Sequence, residues 1–100
     1  MDIYYLKDHM FEEICGAKEY LHQAMDLKDV NGNWSKMFFD MGKTEMDHAS
    51  ALYKMLEEHY KQINTKPELA GYMEPFKKEI DESYMKKVGA VKYMMDMYLR

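Results

Sequence analysis

Apolar residues recur every three or four positions along nearly the whole chain, and nowhere do they alternate in twos. That period belongs to amphipathic α-helices and argues against strands. Two breaks interrupt it. Asn31-Gly32-Asn33 is a turn signal, and Asn64-Thr65-Lys66-Pro67 is the second, because the residue before a proline avoids helical backbone. Three helices are expected, over about residues 3–29, 34–63 and 75–99, with boundaries set by caps and breakers. The first carries the stripe Ile3, Leu6, Met10, Phe11, Ile14, Ala17, Leu21, Ala24 and Met25. The second is expected to start at an Asn33 or Ser35 cap. Pro67-Glu68-Leu69-Ala70 can start a short helix that ends near Gly71, and Pro75 suits the first turn of the third helix. Its stripe is Phe76, Ile80, Tyr84, Val91, Met94 and Tyr98, interrupted by Lys87. A short connection should fold the first two helices into an antiparallel hairpin.

On a wheel of about 100° per residue, the second helix divides into two sides. Trp34, Phe38, Met41, Ala49, Leu52, Met55, Leu56 and Ile63 fall on one; Lys36, Lys43, Asp47, Ser50, Lys54, Glu57 and Lys61 fall on the other. Glu45 and His48 belong to the apolar side. A carboxylate there needs a partner that neutralises it. Three residues apart on a helix, the two side chains point the same way and can share one ion. The bland alternative is a buried Glu-His pair. Glu13 lies at the margin of the first stripe, roughly 70° from its centre, while Glu12 and Glu19 point away. Folding the hairpin at its turn brings Glu13, Glu45 and His48 to similar levels, within about one helical turn. Glu19-Tyr20-Leu21-His22 repeats the Glu-x-x-His spacing, but Glu19 faces water on the wheel. His59 reads as an interface or core histidine and His9 as a surface residue.

Composition narrows the setting. One hundred residues make one domain, spanning 1–100, and a chain of long helices this short buries a modest core, so association with other copies is expected. The net charge of −4 argues against nucleic acid as a partner. A single cysteine, Cys15, permits no internal disulfide and fits a reducing, cytoplasmic compartment. Met1-Asp2-Ile3-Tyr4 has no basic region before an apolar run, so no leader is expected, and no stretch is apolar enough for a membrane span. The 12 Met residues read as adaptable core filling and the 9 Tyr residues as amphipathic interface residues.

The stretch Glu13-Ile14-Cys15-Gly16-Ala17-Lys18-Glu19-Tyr20, followed by Glu45-Met46-Asp47-His48-Ala49, resembles the first half of the rubrerythrin and ferritin-like superfamily, over about residues 10–60. That family shows a Glu, then a small residue and a Tyr two turns on, then Glu-x-x-His-Ala. The third helix lacks a second such set: it has no His, and Glu79, Asp81, Glu82 and Asp96 lie off its stripe. The resemblance is to half-length members such as the encapsulated ferritins. It implies an all-α fold in which two hairpins pair into a four-helix bundle. The bundle would hold a di-iron site shared between subunits, with Glu13, Glu45 and His48 as metal ligands and catalytic residues. Glu45 would bridge or chelate, His48 would be terminal, Glu13 terminal or bridging, and Tyr20 a supporting partner. Oxidation of Fe(II) by oxygen or peroxide is the implied activity. An enclosing protein shell is an implied partner, and manganese or zinc are alternative metals. The competing reading is a metal-free helical interaction module.

Overall fold

The computed structural model describes residues 2–100; Met1, with which the leader reading begins, lies outside them. Three α-helices, α1 (Ile3–Leu27), α2 (Gly32–Asn64) and α3 (Glu74–Leu99), are joined by a short turn and by a single 3-10 turn over Pro67–Leu69, with no strand among the described residues. α1 starts where the Asp2 carboxylate accepts the Tyr5 N–H at 2.8 Å. α2 starts earlier than expected. Asn31, not Asn33 or Ser35, is its cap, with extended backbone and Oδ1 accepting the Trp34 N–H at 3.0 Å. The turn is correspondingly earlier, at Lys28-Asp29-Val30, and Gly32 is already helical. The short element after Pro67 ends as expected near Gly71, whose φ of 79° needs a residue without a Cβ. Asn64 secures this corner by accepting the Gly71 N–H at 2.8 Å.

α1 and α2 form an antiparallel hairpin held at close range by small residues. A Cβ on Gly42 would lie 3.1 Å from Leu21 Cγ and 3.4 Å from the Ala17 carbonyl oxygen. Nearer the turn, the buried Ser35 hydroxyl donates to the Ala24 carbonyl at 2.5 Å and pairs with the Tyr98 hydroxyl at 2.9 Å. The α1 stripe is buried as its spacing predicts: Ile3, Leu6, Met10, Ile14, Ala17, Leu21 and Ala24 are sealed from solvent. The inner face of α2 is narrower than its apolar arc. Ser35, Phe39, Gly42, Ala49 and Leu56 are buried, whereas Trp34, Met41 and Met55 stay exposed. Met10 and Met73 fill the core, but Met37, Met41, Met55, Met85 and Met97 lie outside it, so core filling accounts for only some of the methionines.

α3 lies across the hairpin through Ile80 and Val91, with Tyr98 stacked on Phe39 at 4.5 Å and Tyr84 stacked on Tyr53 at 4.0 Å. The α2 side expected to face water here faces α3 instead: the half-buried Ser50 lies near the Tyr84 hydroxyl, and Glu57 pairs with Lys77 at 3.8 Å. Lys77 is the unexpected core member, 9% exposed. Its ammonium donates to Asp81 at 2.6 Å and lies over the rings of Tyr53 and Tyr60 at 5.3 and 5.6 Å. Its aliphatic stem joins the apolar layer while its head is fully partnered, which makes a buried lysine tolerable. Lys87, by contrast, is exposed and sits 5.6 Å from the Phe11 ring. The molecule measures 58 × 21 × 14 Å with a radius of gyration of 16.4 Å, against about 13 Å for a compact chain of this length. None of the helices among the described residues is long and apolar enough to cross a membrane.

Burial is the main influence pushing the Tyr53 and Tyr84 hydroxyls above the ordinary tyrosine range, with the Tyr53 hydrogen bond to Asp81 adding to it. A raised folded pKa means that stability is fully present below the unfolded value of about 10 and is lost as pH rises through the folded one. Chemical denaturation should therefore show stability falling steeply above about pH 10, with a shallower fall in Y53F.

Candidate metal centre

Glu13 comes from α1, Glu45 and His48 from α2, and the hairpin register brings the three together. One ligand atom from each lies within 4.8 Å of the other two. His48 Nδ1 is 3.6 Å from Glu13 Oε2 and 3.8 Å from Glu45 Oε1. The Glu13 and Glu45 side chains are 17% and 24% exposed, while that of His48 is 54% exposed. The carboxylates thus sit inside the helix seam and the imidazole stands at its rim, so the cluster opens at the surface. None of the α3 carboxylates enters it.

Gly16 makes room for this arrangement. A Cβ there would come 3.0 Å from Glu45 Oε2. An interior glycine costs a helix about 1 kcal/mol relative to alanine, and here that cost gives a carboxylate its place. A hydrogen bond between the two carboxyls, foremost among the influences on each, holds Glu45 above the usual carboxyl range and Glu13 below it. Two carboxyls this close repel each other when both are ionised, and a bound cation would relieve that repulsion. Two carboxylates and an imidazole suit iron, manganese or zinc. The residues present therefore fit a metal, with one carboxylate from α1 and a Glu-x-x-His pair from α2.

The structure also brings in a residue that the sequence reading had assigned to the surface. His9 Nε2 lies 3.0 Å from Glu13 Oε1, with the side chain 38% exposed and the ring set edge-on to Tyr5 at 5.8 Å. Its Nδ1 is buried without a partner. The His9/Glu13 spacing of one helical turn was the available signal. Tyr20 lies beside Glu45, where it lines a shallow depression with Asp40, Met41 and Thr44. Glu12, Glu19 and His22 are exposed, as the wheel indicated for the two glutamates. His59 is half-buried and stands outside the cluster.

Two outcomes follow from this geometry. In G16A, thermal stability should hold or rise by up to about 1 kcal/mol, while metal affinity falls on the order of tenfold because Glu45 must move; melting curves beside a Mn(II) titration would check both. In E45Q the metal-free protein should be as stable as wild type or more so at pH 7, since one of two facing carboxylates has lost its charge, and metal uptake should be abolished. A destabilisation of several kcal/mol, on the order of 3–5, would instead mark Glu45 as half of a structural ion pair.

A model of the rubrerythrin family matches residues 5–98. No curated protein and no solved structure matches the chain.

Proposed function

The chain belongs to the rubrerythrin family, and on that premise we propose that it is a ferritin-like di-iron protein whose metal site is shared between two copies of the chain. The observation that carries this reading is the convergence of Glu13, Glu45 and His48 within 4.8 Å at a site open to the surface. One chain offers two carboxylates and one imidazole. Two chains related by a two-fold axis offer four carboxylates and two imidazoles, the ligand count of a complete carboxylate di-metal site in a four-helix bundle. The α2 residues flanking the site support such pairing. Trp34, Met37 and Met41 are exposed and, with Phe38, line one apolar depression, and Met55 is exposed beyond His48. An exposed apolar face of this kind marks an association surface.

In this reading Glu13 and Glu45 would hold iron as carboxylates. His48 closes the site from the rim. A pair of iron ions held there would supply one-electron oxidation at each metal, with oxygen or peroxide as the electron acceptor. The surrounding Ala17, Ala49 and Ile14, all buried, exclude water from the inner side and so strengthen every charge interaction within the site. Storage of the oxidised product would require an enclosing shell, and this chain would then be the oxidising component within it.

The test loads the full chain with Fe(II) without air, counts iron per chain, determines the mass in solution and then admits air. About one iron per chain, an even-numbered oligomer and new near-ultraviolet ferric absorbance are expected, all lost in H48A except the assembly. Protein that stays metal-free and colourless would favour the interaction module. Binding of manganese or zinc without oxidation of Fe(II) would make it a metal carrier.

A further inference from the structure

We propose that His9 is a positioning residue for the metal centre: it holds one oxygen of Glu13 so that the other is presented to the ion. This rests on the di-metal reading above and specifies how the α1 ligand works. The two oxygens of Glu13 are divided between two histidines on opposite sides. Oε1 lies 3.0 Å from His9 Nε2, and Oε2 lies 3.6 Å from His48 Nδ1. Only the second of these directions leads into the ligand cluster. His9 itself is outside the mutual 4.8 Å group formed by Glu13, Glu45 and His48. The ring is therefore placed to orient a ligand rather than to be one.

The ring is fixed for this task. His9 and Glu13 stand one turn apart on α1, so their side chains share a face. Tyr5, a turn earlier, packs edge-on against the imidazole at 5.8 Å. Nδ1 is sealed from solvent and finds no partner among the described residues, so the polar contact of the ring runs through Nε2. With the proton on Nε2, that nitrogen donates to Glu13 Oε1. A glutamate side chain loses about 1.5–2 kcal/mol of rotamer freedom on being fixed. Prior restraint by His9 means that less of this is lost when the ion binds. With Oε1 already accepting that hydrogen bond, Glu13 would hold a metal through Oε2. Glu45, whose Oε1 faces His48 and whose Oε2 faces Gly16, would hold it from the α2 side.

The test titrates the full chain with Co(II), whose visible spectrum reports its coordination, in wild type, H9A, H9Q and H48A. Loss of a hydrogen-bonding partner behind a metal ligand typically lowers affinity by about 10- to 100-fold. H9A should bind the same number of Co(II) ions per chain as wild type, with an unchanged spectrum and affinity at least tenfold weaker. H9Q, whose amide can donate to Glu13, should recover much of that affinity. H48A should lose binding outright. A second measurement needs no variant: in Zn(II)-loaded wild type, ring 15N spectroscopy should find His9 Nε2 still protonated. Wild-type affinity in H9A would overturn the role. So would a drop in stoichiometry with a changed spectrum, or a metal-bound His9 Nε2, either of which would make His9 a ligand. Wild-type protein that takes up neither metal would overturn the di-metal reading and this inference together, a result distinct from failure of the His9 variants alone.

Discussion

Two carboxyl groups facing each other across a helix seam set the terms for the rest of this hairpin. Glu13 and Glu45 approach from different helices, and neither is free in water. Like charges at this range cannot both ionise without cost, so one carboxyl is held above and the other below the usual range. The seam has to admit both side chains without parting the helices. Gly16 does so on the α1 side by leaving the volume that Glu45 Oε2 fills. Around it Ala17, Ala24, Gly42 and Ala49 keep the backbones close. Small residues along the seam and carboxyls within it are two aspects of one requirement: close approach gives polar groups fixed positions, and fixed positions make them selective.

The opposite side of the hairpin solves a different problem. There α3 covers the core, and the charges it introduces are consumed locally. Lys77, Asp81 and Glu57 pair with one another, and Tyr53 donates to the same Asp81. The group leaves no donor set of carboxylates and imidazole for a metal; its cation is already an ammonium. α3 therefore acts as a lid on the hairpin, fastened by stacked tyrosines and a buried lysine. Among the described residues, the carboxylates facing α3 are neutralised by Lys77, whereas Glu13 and Glu45 have no lysine or arginine partner.

Periodicity made the three helices, the antiparallel hairpin and the α1 stripe legible, because each rests on local spacing that tertiary contacts reinforce. The convergence of Glu13, Glu45 and His48 was legible for the same reason: angle and level on two helices joined by a short turn determine it. The α2 cap was misplaced because Asn31, Asn33 and Ser35 all have cap chemistry. What selects Asn31 is that Ser35 finds better partners in the Ala24 carbonyl and Tyr98, which no local rule contains. Lys77 was hidden for a similar reason. Its partners Glu57, Tyr53 and Tyr60 come from another helix. Ser50 and Glu57, placed toward water by the wheel, meet α3 for want of any sign in α2 of where a third helix would lie. His9 was read by exposure alone, and its value appears only when the second oxygen of Glu13 needs an owner.

The exposed apolar face and the short ligand set lie along the same side of the molecule, and one constraint accounts for both. Had α3 carried a second carboxylate and a second Glu-x-x-His, it would have had to pack on the site face to deliver them. It carries no histidine, and its apolar and aromatic stripe takes it to the other side, against Phe39 and Tyr53. The site face is thereby left with His48 at the rim and Trp34, Met37, Met41 and Met55 along α2. Solvent exposure of so many large apolar groups is unfavourable at roughly 25 cal/mol per Å², and an open carboxyl pair is a weak ligand set while water competes for it. A second hairpin on this face would answer both deficits at once. It would bury the apolar groups and complete the ligands, and association and metal binding would then stabilise one another as linked equilibria.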